Sequence, residues 1–336
     1  MTREENRDFV RKSESLAKPR DITAISFLGD FNKYLPRSVQ QSMVRRGSAK
    51  VPYMGFIVEP YSLFLAFRIR DTAAARALLP DGYELADAAM FSNETKQPLA
   101  LISAFAVRTS AFTGVRLECY LIARATSTGR LSWIIVDYAT NTSSHDPKNG
   151  FCGYSADPAF HATTPHGELL VDVHRMTDGD SFSARADLTV GAAEDLDHAL
   201  WVEGNMCVDY GGRLKDPSSV PFSLIFDPAL MASAVRIPRD RVAAETGGFM
   251  NGLIDRSPES VAVFPYSQHF VIRQEPIEGG ITQTKDLERE IATFLRRDGV
   301  RAMSGDDLKK PLFRGMLISL VVNLGIIVFL LVKVLT

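Results

Sequence analysis

The chain has 336 residues, 46% of them hydrophobic and 23% charged, with a formal net charge of −2 at pH 7. That balance lies in the globular range and leaves no basic footprint for nucleic acid. Three scattered cysteines, Cys119, Cys152 and Cys207, exclude a disulfide framework and fit a reducing compartment.

Residues 1–20 are densely charged and lack the apolar stretch of a signal peptide, which predicts a mobile segment or a marginal helix. Ile22 to Arg46 mixes apolar residues with Arg37, Arg45 and Arg46, as one or two short helices that pack on the domain or touch a membrane surface. From Tyr61 the pattern changes to period two. Leu63, Leu65, Phe67 and Ile69 fall on one face of a strand, with Asp71 as N-cap of a short helix and Pro80-Asp81-Gly82 as its stop. Leu99–Thr109 reads as a further strand. Arg116–Arg124 and Leu131–Tyr138 flank Thr126–Gly129 as a hairpin.

The stretch Ala139–Pro165 is long and polar, yet it carries Phe151, Tyr154 and Phe160. It is expected to be an irregular functional loop over one mouth of the sheet, with Phe151 and Tyr154 as ligand contacts. Glu168–Met176 and Ser181–Val190 form a second hairpin around Thr177–Asp180. Trp201–Val208, Val220–Phe226 and Val261–Gln274 are strand-like, the last interrupted at Pro265. Asp286–Arg297 has helical periodicity through Leu287, Ile291, Phe294 and Leu295. Met316–Leu335 is apolar throughout except for Ser319, Asn323 and Lys333, which is the length of a membrane span. Lys309, Lys310 and Arg314 precede it and Lys333 stands near its end, so residues 1–314 are expected on the cytoplasmic side.

Many hairpin-linked strands with few helices predict an α+β chain, mainly antiparallel β, with accessory helices. The layout is an N-terminal charged segment over 1–50, a β domain over 51–280, an amphipathic helix and linker over 281–314, and a membrane helix over 315–336. No nucleotide loop, hydrolase elbow or zinc helix motif occurs, and none of the six histidines has metal-ligand spacing. No metal and no cofactor is therefore expected.

The order of a strand, a short helix ending in Leu78-Leu79-Pro80-Asp81-Gly82, the run RLECYLIARATSTGRLSWIIVDY and the later GELLVDVHRMTDGDSFSARADLTV resembles the acetoacetate decarboxylase-like superfamily over about residues 55–275. The resemblance implies a closed or nearly closed barrel-like antiparallel sheet around an internal cavity. It also implies a Schiff-base lysine, activated by a neighbouring lysine, in a Gly-aromatic-Pro-Lys-Lys pattern. Here the matching run is Gly153-Tyr154-Ser155-Ala156-Asp157, without either lysine; a shifted register offers Asp146-Pro147-Lys148, with one. Glu118 matches the family's pocket glutamate. It shares a strand face with Tyr120, Ile122 and Arg124, and it serves in acid/base chemistry, stands on a solvated edge, or forms a structural pair with Arg124.

The candidate catalytic residues are thus Glu118 and Lys148, and the candidate ligand contacts are Tyr120, Arg124, Phe151 and Tyr154. Three functions are open. One is a membrane-tethered domain that binds a small apolar, amphipathic or carboxylate-bearing ligand without Schiff-base chemistry. Another is a decarboxylase-like lyase acting on a keto acid or polyketide-like substrate. The third is a tail-anchored interaction protein, with self-association or a membrane partner through Asn323 and Gly325.

Overall fold

The computed structural model describes residues 1–17, 36, 38–39, 42, 53–109, 113–142, 144–273, 281–300 and 305–335. The helices expected within Ile22–Arg46 lie almost wholly outside the described residues. Helix α1 (Arg3–Leu16) opens the chain, and strands β1 (Tyr53–Val58) and β2 (Ser62–Arg68) lead to helix α2 (Thr72–Ala77). Then come β3 (Tyr83–Leu85), β4 (Asp87–Ala88), β5 (Gln97–Thr109), β6 (Thr113–Ala125) and β7 (Leu131–Thr140). A small hairpin of β8 (Ser144–Asp146) and β9 (Gly150–Cys152) precedes β10 (Ala156–Thr163), β11 (Glu168–Arg175) and β12 (Ser181–Asp187). The remaining strands are β13 (Ala192–Asp195), β14 (Val208–Tyr210), β15 (Ser223–Ile225), β16 (Ser233–Arg236), β17 (Val242–Glu245), β18 (Ser260–Phe264) and β19 (Gln268–Arg273). Helices α3 (Thr284–Arg296) and α4 (Gly305–Leu335) end the chain.

The architecture is α+β and mostly antiparallel. Among the described residues one 13-stranded sheet branches at β5, which pairs β2 through Leu99–Ala104, β1 through Val107–Thr109, and β6 on its other side. The expected closed barrel does not form. Among the described residues, β14 and β15 are joined only by the isolated bridge Val208↔Phe222, where the ladder would have to continue to close the ring. Short strands of three residues leave too few ladder bonds at that seam.

The inner face carries one apolar core, with Tyr120, Trp133, Trp201 and Phe264 in edge-to-face or tilted contact. The outer face carries a second core, covered by the four-stranded sheet β10-β11-β12-β17. Arg175 on β11 ties that cover down. Its guanidinium, 4% exposed, bonds Asp137 of β7 at 2.8 and 2.9 Å and also engages Asp178 and Asp180. A buried arginine is tolerated because carboxylates take up its donors.

Three sequence expectations are corrected here. Of the charged N-terminal stretch, Arg3–Leu16 takes the helical alternative, as a capped and packed helix where a mobile or marginal one was expected. Thr2 and Glu5 form a capping box, and Phe9, Ser13 and Leu16 are buried. Phe9 and Tyr53 pack edge-on against Phe294 of α3, while Lys12 Nζ donates to the carbonyls of Phe294, Leu295 and Arg297. Glu14 accepts from Arg108 at 2.9 Å. Charge hid an amphipathic face.

The second correction concerns Ala139–Pro165, which is largely regular: β7 runs to Thr140, β8 and β9 form a hairpin, and β10 is an edge strand. Asp146 and Asn149 make the hairpin turn, with Gly150 at φ 73°. The third is Trp201–Val208. Its first six residues coil into short helical turns over Ala199–Met206, where Trp201 Nε1 donates to Met90 O at 2.8 Å and Gly204 lies against the Trp133 ring.

Candidate functional site

Glu118 lies mid-strand on β6, opposite Ser103 of β5 and Tyr138 of β7. All three face inward. Strict alternation along β7 from Trp133 and Ile135 would put Asp137 inside and Tyr138 outside. A bulge between the Cys119 and Tyr120 registers leaves Val136 and Asp137 both on the outer side and returns Tyr138 to the inner face.

Around Glu118 the side chains form a closed polar cluster within the apolar interior. Arg116, two residues earlier on the same face, donates to Glu118 Oε1 from Nε at 2.8 Å and from Nη2 at 2.6 Å. Its Nη1 donates to Ser144 Oγ at 2.8 Å, and its guanidinium lies 4.8 Å from the Tyr138 ring centre. Tyr120 OH donates to Glu118 Oε2. Tyr138 OH donates to Asp146 Oδ2 at 3.0 Å, and Asp146 is fully buried. Tyr210, carried in by the parallel pairing of β14 with β7, is within electrostatic reach of Arg116, Glu118 and Asp146.

The electrostatics follow from burial. Desolvation alone would lower the Arg116 pKa, but Glu118, Tyr138 and Tyr210 outweigh it and hold the guanidinium above its ordinary value. Desolvation, reinforced by Glu118, pushes the Tyr120 phenol well above 10. Desolvation also raises Tyr210, against the opposing effect of Arg116. At neutral pH these phenols are hydrogen-bond donors. The cluster offers two carboxylates, one guanidinium, three phenols and the hydroxyls of Ser103 and Ser144. Arg116, Tyr120 and Tyr138 already donate within it, so a carbonyl or carboxylate would have to displace one of these bonds to reach them. Among the described residues, no lysine bonds to any member of it.

The sequence candidates divide accordingly. Glu118 and Tyr120 are in direct contact. Arg124 is not with them. It is exposed at the far end of β6 and donates to Gly129 O across the hairpin turn, so the ion-pair partner of Glu118 is Arg116 and not Arg124. Lys148 is exposed at the tip of the β8–β9 hairpin. Its backbone N donates to Leu214 O at 3.2 Å, and its side chain bonds no described residue. Asp146, two positions earlier, is the hairpin residue that reaches the cluster. Tyr154 is 55% exposed, and the side chain of Phe151 lies outside the described residues. Sequence reasoning missed Arg116, Tyr138, Asp146 and Tyr210. Only Arg116 had a signal, its i, i+2 spacing from Glu118.

At the chain's end, α4 contains 23 residues, Phe313–Leu335, long and apolar enough to cross a membrane, and every described side chain in that stretch is exposed.

No family model matches the chain, and no curated protein matches it. Among solved structures it is similar to the acetoacetate decarboxylase of Legionella pneumophila subsp. pneumophila str. Philadelphia 1, with a TM-score of 0.43 and 11% sequence identity over 65% of this chain and 84% of that one.

Proposed function

We propose that this protein is a membrane-anchored domain that binds a small amphipathic molecule bearing a carbonyl or carboxylate, without lysine Schiff-base chemistry. The observation that carries the reading is the buried Arg116–Glu118–Tyr120 cluster with Tyr138, Asp146 and Tyr210 around it. Buried polar groups of this density are costly, and a fold keeps them where they define geometry or serve a ligand. The aromatic end of the interior is already occupied by Trp133, Trp201, Phe64 and Phe264. The ligand's polar group is therefore placed at the other end, under the β8–β9 hairpin, with its apolar part toward Tyr120 and Trp133. Entry requires the hairpin to lift, since Arg116, Glu118 and Tyr120 are 6–8% exposed.

The anchor is α4, and the basic residues Lys309, Lys310 and Arg314 before its apolar stretch orient the folded part to the cytoplasm. The test is native mass spectrometry of the full chain in nanodiscs, paired with thermal unfolding against aliphatic carboxylic and keto acids. A retained small molecule, or a raised melting temperature that is reduced in Tyr210→Phe, is expected. Neither retention nor any shift in the wild type would overturn the reading.

A further inference from the structure

We infer that α4 pairs with α4 of a second copy of this chain through the face carrying Gly315, Ser319 and Asn323. This rests on the reading of α4 as a membrane span. Asn323 lies near the middle of Phe313–Leu335, with ten residues of the stretch before it and twelve after. A carboxamide has two N–H donors and an oxygen that accepts. In α4 one donor reaches Ser319 Oγ, at a long 3.4 Å. No described residue donates to Asn323 Oδ1. Hydrocarbon contains no water to satisfy these groups, so they seek a partner within the bilayer.

The occupant that fits is the same chain. About a two-fold axis, a second α4 presents an identical amide at an identical depth, and each Nδ2 can donate to the other's Oδ1. That is the self-complementarity an isologous contact requires. Any other partner would have to carry a polar group of its own at that level. Close approach is possible on this face because Gly315 and Ser319, both small, precede Asn323 at four-residue spacing. Gly325, which the sequence pattern paired with Asn323, lies about 200° around the helix from it and belongs to the opposite side.

Full-length protein labelled in two colours at its N-terminus and reconstituted in phosphatidylcholine vesicles provides the test. Energy transfer should fall with lipid dilution. Asn323→Val and Gly315→Leu should each raise the apparent dissociation constant, the former about three- to thirtyfold. Gly325→Leu should leave it unchanged. Absence of transfer in the wild type, transfer unaltered by Asn323→Val, or an equal loss in Gly325→Leu would each overturn the pairing. Release of the wild type from vesicles by alkaline carbonate would instead overturn the membrane reading on which it rests; a chain that stays membrane-bound but monomeric sinks the pairing alone.

Discussion

Arg116 and Glu118 stand two residues apart on one strand and form a buried ion pair, with Arg116 Nη2 2.6 Å from Glu118 Oε1. Both are under 10% exposed, so neither charge has water to fall back on. Arg116→Met should therefore destabilise the fold by about 3–5 kcal/mol, because it strands the Glu118 carboxylate. The double variant Arg116→Met/Glu118→Leu should recover most of that loss. Urea unfolding of the two variants measures the difference. Equal losses would mean that the pair is not coupled.

Alkaline pH should unfold the chain through its phenols. Burial raises Tyr83, Tyr120 and Tyr210 above their ordinary pKa of 10. A group whose folded pKa is raised keeps its proton more tightly in the folded state. Its contribution is fully present below the unfolded value, near ~10, and is lost as pH climbs above it toward the folded values. Tyrosinate absorbance should accordingly rise in step with loss of secondary structure above about pH 10. Tyrosinate signal from these positions in a still-folded chain, resolved with single Tyr→Phe variants, would contradict this.

Helix α1 should behave as an integral part of the sheet. A Cβ at Gly55 would lie 2.7 Å from Leu16 Cβ and 3.0 Å from Ser13 O, so Gly55→Val should push α1 off β1. Limited proteolysis should then cut near residue 17 faster than in the wild type. Phe9→Ala, which empties a fully buried site against Phe294, should cost about 3–5 kcal/mol. Unchanged cleavage and stability in both variants would return α1 to a loose appendage.

Lys148 should not form an imine. It is exposed at the tip of the β8–β9 hairpin, whereas a lysine that attacks a carbonyl in this way needs an apolar pocket or a second cation beside it. Borohydride reduction with a β-keto acid, followed by peptide mapping, should leave Lys148 unmodified. A reduced adduct there would revive the decarboxylase-like reading.

Removal of α4 should free the protein from membranes without unfolding it. Leu287, Ile291 and Phe294 of α3 belong to the core, whereas the described side chains of Phe313–Leu335 are exposed. A chain ended at Val300 keeps the first set and loses the second. It should appear in the supernatant after carbonate washing, while the full chain pellets. Pelleting of both would show that the anchor lies elsewhere.

Local periodicity by itself determined much of the fold. Period-two runs on β2, β6 and β11, the turn residues of the β6–β7 and β11–β12 hairpins, and the helical spacing of Leu287, Ile291 and Phe294 are each set by neighbours a few residues apart. The apolar run that ends the chain was equally plain, since its signal is composition alone. Glu118 and Tyr120 on one face followed from the same alternation.

The site as a whole was decided by tertiary structure. The bulge at Val136–Asp137 reverses the face of Tyr138, and no residue type in LSWIIVDYAT announces where a ladder will slip. Asp146 reaches the cluster because a hairpin folds it under β7, and Tyr210 because β14 pairs parallel to β7, with Tyr210 opposite Ile135 from 75 positions away in sequence. The choice of Arg116 over Arg124 as partner to Glu118 has the same origin. Both alternate correctly along β6, but only Arg116 is buried, and a carboxylate out of water binds the charge that is out of water with it.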